Sequence, residues 1–527
     1  MDSVANLLFQ RITAYGQLAA ISYNGRSITY AELSGKALSV AGALIECGAE
    51  RKTIGIVGQR TPSSYFGILG ILFAGCNYVP INPKYNQQKL IAMLRAANVR
   101  YLVGDKKSIE LLEQVISSPD LPPMEAVILP EGTASVGKRW IDECVLQSTP
   151  SLGHPVLSDL KDLAYVLFTS GSTGVPKGVQ VTNGNVLAFL KSMEQIYTLD
   201  AGFRASQTFD FSFDPSVSDM FFTWANGGTL CVLPEEELML PCEYLVREKI
   251  TFWNSVPSIA SFLYKMGHLS PGAFPELTHS MFCGEQFPKY LADIWRKAAP
   301  NSTIENLYGP TEATIYICRH KYEKFEENHS FKNSIIPIGR PFIDHQLALI
   351  DENSQQVATG EIGEIVYKGP QITIGYLNDP EKTATTFVSF DWDETGAKWY
   401  RSGDLGFYNG DGNVECIGRK DCQIKLAGRR IEIGEIEAVL HRYPLTSNAV
   451  VVALRDANDV VTGCVAFITS MLSKEEEVHI RTDSVKYLDR IFFPKRLIYI
   501  SDLPLTASGK VDRKKLESVA NKLINTD

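Results

Sequence analysis

Between about residues 17 and 315, short apolar runs alternate with longer segments whose apolar positions recur every three or four residues. The runs at 53–57, 100–103, 126–129 and 229–233 have strand length and apolar, partly β-branched content. Such alternation predicts parallel sheets covered by helices. The most apolar long stretch, 65–81, carries Gly67, Gly70, Gly75, Asn77 and Pro80 and is shorter than a membrane span. It predicts a core helix running into a loop. From about 335 the texture changes to short strands broken by glycine turns, which predicts a smaller β-rich subdomain. After Asp421 the pattern is a strand, a turn and an amphipathic helix, and the remainder fits a compact α+β unit of about 100 residues.

One apolar run, 163–168, breaks into Thr169-Ser170-Gly171-Ser172-Thr173-Gly174, and a helical pattern resumes near Asn185. A buried strand followed by a small-residue loop lets backbone N–H groups and hydroxyls close around phosphate oxygens, with Lys177 adding a positive charge. The Walker loop requires G-x-x-x-x-G-K-[ST]; here Lys177 stands between Pro176 and Gly178, so that spacing fails.

Composition narrows the class. At 527 residues the chain is too long for one ordinary core. Its net charge of −9 argues against nucleic acid or an anionic membrane as the main partner. Ten cysteines are scattered without a CxxC pair, and the histidines lie apart from any metal-ligand spacing, so reduced, mostly buried thiols are expected. The N-terminus lacks a basic n-region and a cleavage site, and a cytoplasmic location is expected.

Four further segments carry chemistry. In Asn306-Leu307-Tyr308-Gly309-Pro310-Thr311-Glu312 the Gly-Pro turn exposes its flanks. Tyr308 offers a flat face for a purine, Thr311 a hydroxyl for phosphate and Glu312 a hard carboxylate for Mg²⁺. In Tyr400-Arg401-Ser402-Gly403-Asp404 a carboxylate after a glycine turn can accept both ribose hydroxyls. The segment Gly418-Arg419-Lys420-Asp421-Cys422-Gln423-Ile424-Lys425 continues into Gly428-Arg429-Arg430-Ile431-Glu432. A loop lysine, Lys510, follows Leu505-Thr506-Ala507-Ser508-Gly509. Together with the loop at 169–174, these five strings, in order between residues 163 and 513, closely resemble the motifs of the adenylate-forming enzymes. That superfamily includes acyl-CoA synthetases, luciferases and the adenylation domains of nonribosomal peptide synthetases.

The resemblance implies a large α/β N-terminal domain, residues 1–418, with two parallel-type sheets, helices and the β-rich subdomain at about 335–418. A hinge at 419–421, centred on Asp421, would join it to a small mobile α+β C-terminal domain, 422–527. The family often has a second acidic residue where this chain has Cys422. ATP and Mg²⁺ are the implied cofactors. Thr169, Ser170, Gly171, Ser172, Thr173, Gly174 and Lys177 would hold phosphates. Gly284, Glu285 and the segment Asn306 to Thr311 would hold the nucleotide, with Asp404 on the ribose, Arg419 on the ribose or a phosphate and Glu312 on the metal. Thr169, Glu312 and Lys510 would take part in adenylation, Lys510 bridging the carboxylate and the α-phosphate.

The substrate pocket carries over as Asp214, Pro215, Ser218, Asn254, Met281, Cys283, Leu307, Ile315 and Tyr316. Amino-acid-activating members carry Asp at the first position, to pair with the substrate ammonium. Asp210, in a near-duplicate FDFS string, is a competing register; the aromatic Phe211 three residues ahead and the following Ser216-Val217 favour Asp214. The lining is bulky and otherwise uncharged, so a small neutral amino acid is expected. Met281-Phe282-Cys283-Gly284-Glu285 resembles the D-alanyl-carrier-protein ligases, whereas Leu307 and Tyr316 make the pocket tighter and more apolar and lean toward proline. D-alanine or another small amino acid is the alternative. No carrier-like segment follows Lys510, so the acceptor is expected to be the phosphopantetheine thiol of a separate carrier protein. The other classes are an acyl- or aryl-CoA ligase, against which Asp214 argues, and a non-catalytic binding protein, against which Lys510, Glu312 and Asp404 argue.

Overall fold

Alternating apolar runs become two sheets because neither face of a Val/Ile-rich strand can stay wet. The computed structural model describes residues 3–85, 87–133, 140–169, 176–323, 335–420, 423–456, 460–504 and 511–524. Among them, a nine-stranded sheet runs from Arg340–Pro341 through Cys318–Tyr322, Thr303–Tyr308, His279–Cys283 and Phe252–Ser255 to Arg204–Gln207, Thr229–Val232, Ala19–Tyr23 and Arg26–Thr29. Its interior pairs are parallel and both of its ends are antiparallel. A seven-stranded sheet is centred on Thr53–Val57, Asn77–Ile81 and Tyr101–Gly104 and is parallel except for its last pair.

The helix expected near Asn185 stands at Asn183–Ile196, and before it comes a strand the sequence did not foretell, Lys177–Thr182, antiparallel to Leu163–Thr169. Val179 and Val181 are buried and Gln180 between them is half-buried, a period of two. Thr182 then caps helix Asn183–Ile196, its hydroxyl accepting from the Asn185 N–H. The apolar stretch at 65–81 does contain a fully buried helix, Pro62–Phe73, but it turns at Gly75 (φ 68°) and enters strand Asn77–Ile81 rather than a loop.

From Gln346 to Arg419 the chain builds a five-stranded antiparallel sheet. The C-terminal part holds a hairpin, Gln423–Leu426 with Arg429–Glu432, and a three-stranded sheet, Val450–Arg455, Val461–Ile468 and Leu497–Tyr499. Alternate residues of that sheet serve two small cores. Val451, Ala453 and Ala466 pack with Ile436 and Leu440, while Val452, Val465 and Phe467 pack with Leu516 and Ala520 of helix Arg513–Ile524. Among the described residues no helix is long and apolar enough to cross a membrane. This topology gathers the carboxyl ends of His279–Cys283 and Thr303–Tyr308 on one edge, where ligands of parallel sheets bind.

Candidate active site

The site begins with a strained turn. After strand Thr303–Tyr308 the chain doubles back so tightly that a Cβ on Gly309 would run into the Ile315 carbonyl. Thr314 (φ 55°) and Ile315 (φ 73°) both lie in the left-handed region, a strain of about 1–3 kcal/mol each. Gln371 holds them there. Its Nε2 donates to the carbonyls of Tyr316 at 2.7 Å and Thr314 at 3.0 Å, and its own carbonyl accepts from the Thr314 hydroxyl at 2.6 Å. The turn thereby aims the Ile315 N–H at Asp214 Oδ2, 3.3 Å away.

Asp214 is buried, and among the described residues no cation forms an ion pair with it. Burial pushes its carboxyl up to about 7; the Thr311 hydroxyl and the Ile315 N–H pull it down, and Glu312 nearby pushes it up. Thr169, Asp214, Pro215, Cys283, Ile315 and Tyr316 share one cavity. Gly284, Gly309, Pro310, Thr311, Asp404 and Arg419 line its other side. An adjoining cavity is bounded by Gly284, Glu285, Asn306, Leu307, Tyr308 and Asp404.

Asp404 sits at the junction of the two cavities. Its Oδ1 accepts from Arg419 Nη1 at 2.6 Å and its Oδ2 from the Tyr308 hydroxyl. Burial opposes its charge, but Arg419, Lys425 and Tyr308 outweigh burial and hold the carboxyl below its ordinary range. Lys425 Nζ lies 5.2 Å from the centre of the Tyr308 ring.

Glu312 is fully buried. Burial again opposes ionisation, and Arg430, Tyr376 and Lys177 more than offset it. Oε1 accepts from the Tyr376 hydroxyl at 2.8 Å; Oε2 has no hydrogen-bond partner and lies 3.5 Å from Arg430 Nη1. A buried, ionised carboxylate with one open oxygen suits Mg²⁺, which takes one or two protein carboxylates and completes its shell with phosphates and water. Among the described residues no three acidic, His or Cys side chains cluster into a metal cage.

The hairpin Gln423–Leu426/Arg429–Glu432 reaches into this site. Its two-residue tip has φ > 0 at both Ala427 (49°) and Gly428 (74°), the geometry that suits strand twist. A Cβ on Gly428 would strike Val256 of the large domain. The Gly428 N–H donates to Glu285 Oε1 at 2.9 Å, and the Ser258 N–H donates to Oε2 at 2.9 Å. Behind the tip, Arg430 faces Glu312, and Glu432 lies 3.9 Å from Lys177, whose ammonium is disfavoured chiefly by burial.

Of the residues expected from sequence, Ser218, Asn254 and Met281 are buried outside the described lining of both cavities. Glu312 and Lys177 stand beside the cavities rather than on their walls. Ser170, Gly171, Ser172, Thr173, Gly174, Asp421 and Lys510 lie outside the described residues. Sequence reasoning missed Tyr376 and Gln371, which reach the site from 55 or more residues away in the chain. Arg430 and Glu432 stood inside a quoted string and received no role.

A family model described as AMP-binding enzyme matches residues 8–377, and one described as AMP-binding enzyme C-terminal domain matches residues 435–510. The chain is 30% identical over 529 residues to a D-alanine--D-alanyl carrier protein ligase of Lacticaseibacillus paracasei, covering 99% of this chain and 100% of the relative. It is 31% identical to malpinin synthetase of Mortierella alpina and 32% identical to tyrocidine synthase 3 of Brevibacillus parabrevis, but spans only 6% and 8% of those relatives while 95% and 98% of this chain is covered. A crystal structure of the Vibrio cholerae adenylation domain AlmE in complex with glycyl-adenosine-5'-phosphate superposes with a TM-score of 0.85 at 26% identity, covering 100% of this chain and 98% of that one.

The buried Asp214 carboxyl has a stability signature. Folded, it keeps a proton that the unfolded chain releases between about pH 3.8 and about 7, so folding is progressively disfavoured as pH rises through that window. Asp214→Asn is therefore expected to be more stable than the parent at pH 8, by up to roughly 4 kcal/mol, and to lose that advantage near pH 4. Thermal melts of both proteins across this range check it; a difference independent of pH contradicts it.

Proposed function

The chain belongs to the AMP-binding enzyme family, and from that premise we propose that it activates a small neutral amino acid as an aminoacyl adenylate and passes it to the phosphopantetheine thiol of a separate carrier protein. The observation that carries this reading is Asp214. A buried carboxylate without a cation costs several kcal/mol, and a substrate ammonium supplies the missing charge. An acyl- or aryl-CoA ligase has no use for it.

In the first half-reaction a carboxylate oxygen attacks the α-phosphorus of ATP, and the bond from that phosphorus to the bridging oxygen breaks as pyrophosphate leaves. Asp214 would fix the amino end; Thr169 and Gly309 line the same cavity. Asp404 and Arg419 hold the ribose, beside the ring of Tyr308. Lys177 and Lys510 counter the triphosphate charge. Mg²⁺ held by Glu312 would neutralise charge on the phosphates. In the second half-reaction the thiol sulfur, having lost its proton, attacks the acyl carbon and AMP leaves.

A domain rotation at 419–421, with Asp421 as the hinge, separates the two steps. Two ion pairs support this reading. Arg430 and Glu432 of the hairpin face Glu312 and Lys177, the very charges that the metal and the triphosphate need, so the arrangement described here suits a site without triphosphate. The scattered cysteines, none paired among the nine described, suit a reducing cytoplasm, where ATP is also available.

The side chain accepted is small. The full-length ligase relative and the glycyl-adenylate complex support D-alanine or glycine. Proline, whose secondary ammonium still offers two N–H donors to Asp214, is favoured by the bulk of Tyr316 on the cavity wall; Leu307, expected to help, lies on the adjoining cavity. ATP–pyrophosphate exchange with glycine, both alanines, proline, valine and phenylalanine tests the reading. Exchange with a small amino acid is expected, and Asp214→Ala should lower kcat/KM by more than about 3 kcal/mol, over a hundredfold. Preference for a fatty or aryl acid contradicts it.

The two-step assignment is checked separately. Lys510→Ala should cut adenylate formation by a few orders of magnitude while largely sparing transfer from preformed adenylate. Asp421→Pro, which fixes φ, should retain exchange and lose thioester formation. Equal loss of both steps in Lys510→Ala, or normal thioester formation in Asp421→Pro, overturns it.

A further inference from the structure

Asp219 is a buried acid that the reaction above does not use. It lies one residue past Ser218, in a π-helical turn, Ser218–Phe222, set between short α-helical turns at Pro215–Val217 and Thr223–Ala225. Single π turns inside helices concentrate at functional sites because they redirect a side chain. This one places Asp219 beneath the substrate cavity at 5% exposure, without its reaching the described lining.

The side chain meets Asn254, which is 1% exposed on strand Phe252–Ser255. Asn254 Nδ2 donates to Asp219 Oδ1 at 2.7 Å and to the Tyr316 hydroxyl oxygen at 3.0 Å. Tyr316 Oη lies 3.4 Å from Cys283 Sγ, and Cys283 Sγ lies 3.9 Å from Asn254 Oδ1. Tyr316 and Cys283 are cavity wall; Asn254 and Asp219 stand behind it.

The orientation of the amide decides what the wall can do. An amide presents N–H groups on one side and a carbonyl on the other, and a buried amide flips unless a neighbour accepts only one kind of bond. Asp219 supplies that acceptor, whether its carboxyl is ionised or keeps a carbonyl oxygen. With one Nδ2 N–H committed to Asp219, the amide meets the Tyr316 hydroxyl with its nitrogen at 3.0 Å and its oxygen at 3.3 Å, and Oδ1 also lies 3.9 Å from Cys283 Sγ. The Tyr316 ring, edge-on to Phe189 at 6.0 Å, then has one resting place.

We infer that Asp219 is a positioning residue for side-chain selection: through Asn254 it pins the Tyr316 ring and so sets the depth of the amino-acid pocket. This deepens the proposed amino-acid activation and rests on it. Without the Asp219 acceptor, the Asn254 amide is free to turn, its two contacts to the Tyr316 hydroxyl shift with it, and larger side chains gain entry. The effect falls on discrimination between amino acids rather than on the chemistry they share.

The test is ATP–pyrophosphate exchange with both alanines, proline, valine and leucine, on the parent, Asp219→Leu, Asp219→Asn, Tyr316→Phe and the double variant Asp219→Leu/Tyr316→Phe. Asp219→Leu should lower the kcat/KM preference for the best small substrate over leucine by about tenfold, chiefly through a lower KM for leucine. Asp219→Asn keeps an acceptor oxygen toward Asn254 and should keep the parent's preference. In the Tyr316→Phe background the Asp219→Leu change should have little further effect on the preference, because the two act through one contact. A uniform loss for every substrate with the preference intact, or full additivity in the double variant, overturns the inference. If Asp219→Leu does not fold, Asn254→Ala severs the same relay one link later, and an unchanged preference there overturns it equally. A parent that activates none of the amino acids instead removes the proposed function on which the inference rests.

Discussion

A carboxylate shut away from water, with no ion-pair partner among the described residues, is the constraint around which this site is organised. Asp214 is held where solvation is poor by the Ile315 N–H and the Thr311 hydroxyl, two hydrogen bonds that lower its charge penalty without removing it. The strain at Thr314 and Ile315, the close approach at Gly309 and the Gln371 brace all serve to hold those donors in place. Stability is given up locally here, a trade common at binding sites, and under the proposed function a ligand ammonium would be the partner that offsets it.

Beside the cavities the opposite problem is met. Glu312 and Lys177 are buried or nearly so, and charges held away from water are unstable unless each is paired. In the arrangement described, the C-terminal hairpin does the pairing, with Arg430 on Glu312 and Glu432 beside Lys177. Gly428 is what allows the hairpin so close: it takes φ 74°, leaves no Cβ to meet Val256, and gives its N–H to Glu285. The small domain is therefore a part of the site and not merely a cover on it.

Much of this was legible in the chain. Apolar runs and their spacing foretell parallel sheets because burial on both faces leaves that mark. The strands at 53–57 and 229–233 stand as expected, within a residue. The return strand Lys177–Thr182 was not foreseen, since six residues with one glycine and only two valines carry a weak period-two signal next to a loop rich in small residues. The main site strings were visible because each packs several special residues into a few positions. Tyr376, Gln371 and Asp219 were not, because each acts on residues 35 to 64 positions away, and periodicity is blind to such pairs. The pocket wall also differs in kind from the expectation. Tyr316 is less an apolar plug than a ring fixed by its hydroxyl to Asn254.

If Asp214 exists to meet an ammonium, the amino group itself must carry a large share of binding. Isothermal titration calorimetry with alanyl-sulfamoyl-adenosine and with its propionyl counterpart, which differs only in lacking the amino group, isolates that share. The alanyl compound is expected to bind about a hundredfold more tightly, with the gap closing in Asp214→Asn. Equal affinity of the two compounds for the parent would contradict the account.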